Sequence, residues 1–573
     1  MPKLKFSPSK WMLTITAIFA LIIIAGFSFR FYPIVPPVNA KNSCNNISAP
    51  VVNSWFVSHT ATLNGAVNPA NSVTFSPTNG NCSFYAWSEQ MFLWLTSPST
   101  GRYGKSGIVL NSPAFFDVSL ADNSFIPHAA GRIPSFNLRA AQVGPHGLPI
   151  TFEKGSGKML DIEPTPVSDG GLPMVMNKMG QVTEVANIKM NAKKEAMLFD
   201  KAGKVITGPK AMVKLKLKGV DPRASVVHQI ELNGQKLFIN GLGRIVVVEE
   251  GQAGGGDVLI SQNGSLVYYT ISANQVYAYF RLKQPNPVSP TLQFPTTQAG
   301  LNSVLSYAVS KGVTIIDPQA LAIEIKTSWV EASTLPDPQN YIKMRANVPV
   351  YNKANPAQWV ATGNPQTIEL AMVGMHIVGS VAGHPEMIWA TFEHINNTPN
   401  ATFNYTNSGN TTNTILQNTI GPWTFCASGA TGFPIAFNTA RQKVNGNNIE
   451  VVPPATSIGP SNTIRWKAWG NEATIPNTPL NSQVISANNN VRNAITPGDV
   501  RGNYIHIGST WTTGAAPSPT NQKGTIELAN TTMETYQQGT SNMSPSKNNC
   551  FGCHTTNFVQ VSHVFNTITK IAP

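Results

Sequence analysis

The chain has 573 residues, 42% of them apolar and only 12% charged, with 45 Gly, 43 Pro and a formal charge of +13. That length suffices for at least two domains with substantial cores. Low charge with abundant Asn, Thr, Ser, Gly and Pro suits many strands joined by turns and argues against a helical bundle. No arginine-rich arm, zinc-finger spacing or other nucleic-acid module accompanies the basic balance, so nucleic acid is not an expected partner and acidic partners are.

Lys3, Lys5 and Lys10 precede an almost wholly apolar run from Trp11 to Phe29, and Val38-Asn39-Ala40 forms a small-x-small pattern ahead of Lys41. Residues 1–40 read as a signal peptide. Because the apolar run is near the lower length limit for a bilayer span, a retained signal anchor is the rival reading. In both, the lysines stay in the cytoplasm and the rest is exported, to a periplasmic or extracellular location. Four of the cations (Lys3, Lys5, Lys10, Arg30) belong to this leader.

Five cysteines are present: Cys44, Cys82, Cys426, Cys550 and Cys553. The last two share a motif. In an oxidising compartment the other three suggest one disulfide and one thiol. Cys44–Cys82 is the pair that would tie down the start of the mature chain.

Residues 83–96 (SFYAWSEQMFLWLT) place Phe84, Trp87, Met91, Trp94 and Leu95 at helical spacing, which predicts a buried amphipathic helix. From about 105 to 290 the signals are strands and tight turns. Asn233-Gly234 and Asn263-Gly264 each sit between apolar runs, the pattern of two-residue hairpins. Lys214, Lys216 and Lys218 alternate with Val213, Leu215 and Leu217, which reads as a strand with a solvated lysine face. GQAGGG at 251–256 lacks the following Lys-Ser or Lys-Thr of a phosphate loop and reads as a turn. Residues 298–310 predict a helix stopping at Gly312, followed by a strand from 321 to 330. Prolines 285, 287, 290 and 295 mark a soft boundary. The expected organisation is mainly β with a few short helices, as a multi-domain exported protein: leader 1–40, a β-rich domain 41–295, a second β-rich domain 296–540, and an attachment segment 541–573.

Cys550-Phe551-Gly552-Cys553-His554 is C-x-x-C-H, the spacing for covalent attachment of one haem c. Two thiols three residues apart on a turn can form thioethers to both vinyl groups of one porphyrin, and the adjacent imidazole then serves as axial iron ligand. A thioredoxin-like pair would need a βαβ context, and a zinc site a second ligand pair; neither is present. Nineteen residues follow His554, so the cover of the haem is expected from the β-rich chain before it. Tyr504, Trp511, Met533 and Tyr536 are candidates for its wall. For the distal position His563 is the candidate ligand and Met543 the alternative. An open position would permit ligand or peroxide chemistry.

His376, His384, Glu386, Glu393 and His394 form a second cluster. Residues 367–379 and 387–395 read as a hairpin turning near Ala382-Gly383. That pairs His376 roughly with Trp389 and leaves His394 about 16 Å further along, too far for one ion. Structural histidines are the better reading, with His384 able to approach the haem from the turn. No G-x-S-x-G elbow or H-E-x-x-H helix supports a hydrolase.

Three stretches, 502–511 (GNYIHIGSTW), 529–536 (ANTTMETY) and the terminal C-x-x-C-H, resemble poorly characterised bacterial proteins of a cytochrome c family, as do 371–379 (AMVGMHIVG) and 386–394 (EMIWATFEH). The resemblance covers the C-terminal two-fifths, leaves His563 outside its pattern, and implies a secreted single-haem protein without indicating a substrate. The combined expectation is a mono-haem protein that exchanges electrons with an acidic redox partner. The alternatives are a haem-dependent oxidoreductase of peroxidase or oxygenase type and a cell-surface glycan-binding protein with a structural or sensory haem.

Overall fold

A computed structural model describes residues 36–573 except 106, 121, 130, 139–149, 154–158, 192–195, 216–220, 233–234, 247–256, 287, 290, 433–436, 467–479, 519, 527, 538–549, 555–558, 560, 563 and 573. The leader run, Gly251–Gly256, Lys216, Lys218, Met543 and His563 therefore lie outside the described residues. Among those described, no helix is long and apolar enough to cross a membrane.

The protein is β-rich, as its composition implies. Its centre is a ten-stranded sheet made of β1 (Phe115–Ser119), β2 (Ser124–Pro127), β3 (Tyr268–Asn274), β4 (Ile323–Glu331), β5 (Lys343–Val348), β6 (Gln366–Val381), β7 (His384–His394), β8 (Tyr504–Trp511), β9 (Lys523–Gly524) and β10 (Lys570–Ile571). The spatial order is β9-β8-β7-β6-β4-β3-β1-β2-β10, with β5 added along β6. Neighbours are antiparallel except β2 and β10, which run parallel through Ser124–Lys570 and Phe125–Ile571. Strands come from the 41–295, 296–540 and 541–573 segments alike, so division of the chain by position does not coincide with division of the sheet. A five-stranded sheet with strands between Ile150 and Val246 is inserted between β2 and β3.

Three helices cover the sheet's two faces with a fourth. α1 (Asn81–Leu95) and α4 (Leu480–Ala494) pack on one side, α2 (Gln275–Leu282) and α3 (Gln298–Ser310) on the other. The helix predicted at 83–96 is present but is not amphipathic. Polar Ser88 and Glu89 are buried along with Phe84, Trp87, Met91 and Trp94, because Ser88 bonds Ser509 of β8 at 2.7 Å and Glu89 lies 3.5 Å from His506 of the same strand, while α4 packs alongside. Its end is closed by Thr96 and Ser97, whose hydroxyls donate to the carbonyls of Phe92 and Leu93 at 2.6 and 2.7 Å, satisfying groups a helix terminus leaves open. Asn274 and Thr297 cap α2 and α3 by accepting from the amides of Tyr277 and Gly300. α3 has the predicted bounds, and Gly312 follows it with φ +75°.

Cys44 and Cys82 are joined in a disulfide, Cα atoms 5.4 Å apart, and Cys426 is a buried thiol. The hairpin around Asn233-Gly234 holds, with Leu232 opposite Gln235. That at Asn263-Gly264 differs. Of the two, only Gly264 has positive φ, and its amide bonds Ser261 while Ser261 bonds Ser265. This is a longer loop with glycine at the bulge, and the following strand β3 pairs with β1 and β4 instead.

Two glycines of β6 mark close approaches to its opposite faces. A Cβ on Gly379 would lie 2.8 Å from the Trp87 indole of α1, and one on Gly374 would meet Ser328 Oγ and Thr532 Oγ1 at 2.7 Å. One lets the helix sit tight against the sheet; the other admits the 530–533 loop.

Candidate functional site

The attachment motif folds as a helical turn, Cys550–Cys553, closed by the His554 amide bonding the Cys550 carbonyl at 2.8 Å. Cys550 is half-buried and Phe551 fully so. Phe551 enters a cluster with Trp389 of β7, Phe125 of β2, Tyr277 and Phe280 of α2, and Phe294, together with Val559, Val561, Val564, Phe565 and Ile568 from the chain after the motif. The motif segment therefore packs against the β-rich body. Alternation along β7 decides the side: Met387 and Trp389 face this cluster, while Ile388, Ala390 and Phe392 face α1.

His554 is 7% exposed, its ring 4.5 Å from that of Trp389. Its Nδ1 lies 2.6 Å from the Val561 carbonyl oxygen. A carbonyl can only accept, so Nδ1 carries the proton and the neutral ring has its lone pair on Nε2. A histidine whose Nδ1–H is held by a backbone carbonyl is oriented as metal ligands commonly are, so the donor set fits the axial role required of His554.

The four residues expected at the haem wall lie in other clusters than Phe551. Tyr504 and Trp511 lie in the core beneath α1, where the Tyr504 hydroxyl donates to the Met372 carbonyl at 2.8 Å and Trp511 stacks on Phe84. Met533 and Tyr536 belong to a separate cluster around Tyr269 and Val373. None of the four joins the cluster that holds Phe551. Of the residues that do, Met387 and Trp389 belong to the stretch 386–394 and Phe125, Tyr277, Phe280 and Phe294 lie outside it; none carries a positional signal of its own.

The 376–394 cluster is the predicted hairpin, turning at Gly383 with φ +80°, but with its register shifted so that His376 faces Thr391 and Val378 faces Trp389. The three histidines have separate partners. His376 Nε2 bonds Glu534 at 2.9 Å, His384 Nδ1 bonds Glu386 at 2.9 Å, and His394 stacks on Tyr341 at 3.6 Å. No group of three metal-binding side chains occurs among the described residues. His384 packs against Phe84 of α1, on the opposite face from His554, so it does not approach the motif. Burial pushes His394 down to about 3, against the opposing hydrogen bond to the Asn340 carbonyl, and keeps its ring neutral.

Between the motif cluster and the 530–536 loop, the same face carries a polar row. Lys326, His376 and Thr391 stand opposite one another on β4, β6 and β7. Burial disfavours ionisation of Glu534, yet His376 and Lys326 outweigh it and hold its carboxyl below the usual range. Glu324, one step nearer the motif, is raised by burial in spite of hydrogen bonds from Ser562 and Tyr277.

A serine–histidine–glutamate arrangement exists elsewhere that sequence order concealed. Ile507 bulges from β8, which brings His506 Nε2 within 2.8 Å of Ser509 Oγ, with His506 Nδ1 3.5 Å from Glu89 Oε1. His506 and Ser509 are buried beneath α1, which itself carries the buried Glu89, with Phe392 stacked on the imidazole at 4.7 Å. No substrate carbonyl reaches this serine; the group is a polar network of the core. Comparison with protein families, curated proteins and solved structures finds no match to this chain.

Proposed function

We propose that this chain is an exported mono-haem c-type protein that transfers electrons, with haem c bound through Cys550 and Cys553 and His554 as proximal ligand. The observation carrying the reading is the Val561 carbonyl on His554 Nδ1, which presents Nε2 for coordination at the one C-x-x-C-H of the sequence. Bound haem would supply a one-electron couple. The protein's part is to orient the imidazole, to keep the Cys550 thiol at the edge of an apolar cluster, and to exclude water around Trp389 and Phe551. The Cys44–Cys82 disulfide supports an oxidising, exported location. The amide of Lys41 bonds the Thr406 carbonyl, but Asn39 and Ala40 dock on Tyr405, Asn407 and Ser408 as well, so these contacts do not mark where the expected leader ends. The basic charge favours an acidic redox partner.

A second reading, a haem-dependent oxidoreductase, draws on His376, whose imidazole is held by Glu534 at 2.9 Å one row from Trp389 and is placed for proton transfer.

The test is expression with the haem c maturation system, followed by haem staining after denaturing electrophoresis. Wild type should retain haem and Cys550→Ala with Cys553→Ala should lose it completely; an unstained wild type refutes the reading. Low-spin spectra unmoved by carbon monoxide support electron transfer, whereas a carbon monoxide adduct moves the assignment to the oxidoreductase.

A further inference from the structure

The segment after the motif is held by side chains from the body as well as by apolar contact. The Ser562 hydroxyl donates to Glu324 of β4. The Tyr277 hydroxyl of α2 donates to the same Glu324 oxygen at 3.1 Å and is 2.6 Å from Ser562 Oγ. One turn along α2, Arg281 Nε donates to the Phe565 carbonyl at 2.5 Å. Two hydroxyls thus converge on one carboxylate oxygen, and Ser562 is the residue immediately after Val561. The Val561 carbonyl and the Ser562 amide belong to one planar peptide unit, so what fixes Ser562 also fixes the carbonyl that holds His554.

We propose that Glu324, acting with Tyr277 through Ser562, is a positioning residue for the axial histidine, aligning the Val561 carbonyl with His554 Nδ1 and thereby tuning the reduction potential of the iron. This rests on the haem reading above. A strong hydrogen bond from Nδ1–H raises the basicity of the imidazole toward the metal and favours the ferric state. Loosening the clamp weakens that bond and favours the ferrous state. The chain of contacts runs from sheet strand to ligand entirely through groups with named partners: Glu324, Ser562 Oγ, the 561–562 peptide, His554 Nδ1.

The experiment uses the full mature chain loaded with haem, and compares wild type with Glu324→Ala, Ser562→Ala, Tyr277→Phe and, as a control, Phe294→Leu. Phe294 packs in the same cluster against Tyr277 and Phe565 but has no hydrogen bond to offer. Haem content, midpoint potential, ferric electron paramagnetic resonance and melting temperature are read for each. The clamp variants should keep covalent haem, change the ferric g-values, and raise the potential by about 60 mV, a tenfold shift in the one-electron reduction equilibrium. Phe294→Leu should lower the melting temperature and leave potential and g-values in place. Haem-bearing Ser562→Ala and Tyr277→Phe with wild-type potential and g-values overturn the positioning role, even if Glu324→Ala does not fold. A Phe294→Leu shift as large as theirs also overturns it, since loosening of any kind would then suffice. Absence of haem from the wild type is a different failure and refutes the function on which the inference stands.

Discussion

The two faces of the central sheet are closed by different means. Under α1 and α4 the cover is long helix, disulfide-linked and packed through Trp87, Phe92, Trp94 and Val491 into one continuous core. On the other face, α2 and α3 cover only part. The motif segment closes one remaining area and the 530–536 loop another, with the polar row of Lys326 and His376 between them. Besides apolar contact, polar clamps hold them: Ser562 on Glu324, Arg281 on Phe565, and Thr531 on Glu393, which is itself paired with Arg465 at 2.8 Å. Helix cover shares its stability with the whole core, whereas clamped segments can be released one at a time.

That contrast is sharpest for two buried phenylalanines. Phe92→Ala and Phe565→Ala each remove an aromatic ring from a full core, a loss of about 3–5 kcal/mol. For Phe92 the loss should appear as global destabilisation in denaturant melts. For Phe565 it should appear as faster hydrogen exchange confined to residues 550–571, with the sheet protected as before. Equal global losses would show that the segment and the sheet unfold as one unit. A smaller effect is expected from the disulfide. Replacing Cys44 and Cys82 by Ala should cost about 2–4 kcal/mol through the 38-residue separation it closes, and should leave exchange at the motif unchanged. A further effect concerns pH. Buried His394 titrates near 3 in the folded chain and near 6.5 when unfolded. The unfolded state therefore binds the extra proton first, and stability should fall as pH drops from about 6.5 toward 3. His394→Gln should flatten that part of the melting-temperature profile; an unchanged slope would assign it to other groups.

Much of this was legible in the sequence, for reasons that differ by residue. The C-x-x-C-H, the helix at 298–310 with its stop at Gly312, and the 366–394 hairpin rest on local patterns, and local patterns are what a single sequence carries. The one-sided helix expected at 83–96 failed because burial of Ser88 and Glu89 depends on elements distant in the chain. Tyr504, Trp511, Met533 and Tyr536, expected beside the motif, lie in other clusters for a similar reason. Tyr504 and Trp511 are near the motif in sequence order, but strand order puts β8 against α1, while Trp389 reaches the motif from 165 residues before His554. Glu324 and Tyr277 had no signal at all, since their role comes from meeting Ser562 across the fold. The buried Ser509–His506 contact needed a β-bulge that no residue pattern announces.

The clamp on Ser562 and Phe565 also implies an order of assembly. A maturation enzyme that joins haem to Cys550 and Cys553 needs that strip of chain in its own grip, and the docked turn has Phe551 wholly enclosed. On the proposed function, ligation precedes docking, and the Lys570–Ile571 pairing with β2 is the latch that shuts behind the cofactor once it is in place.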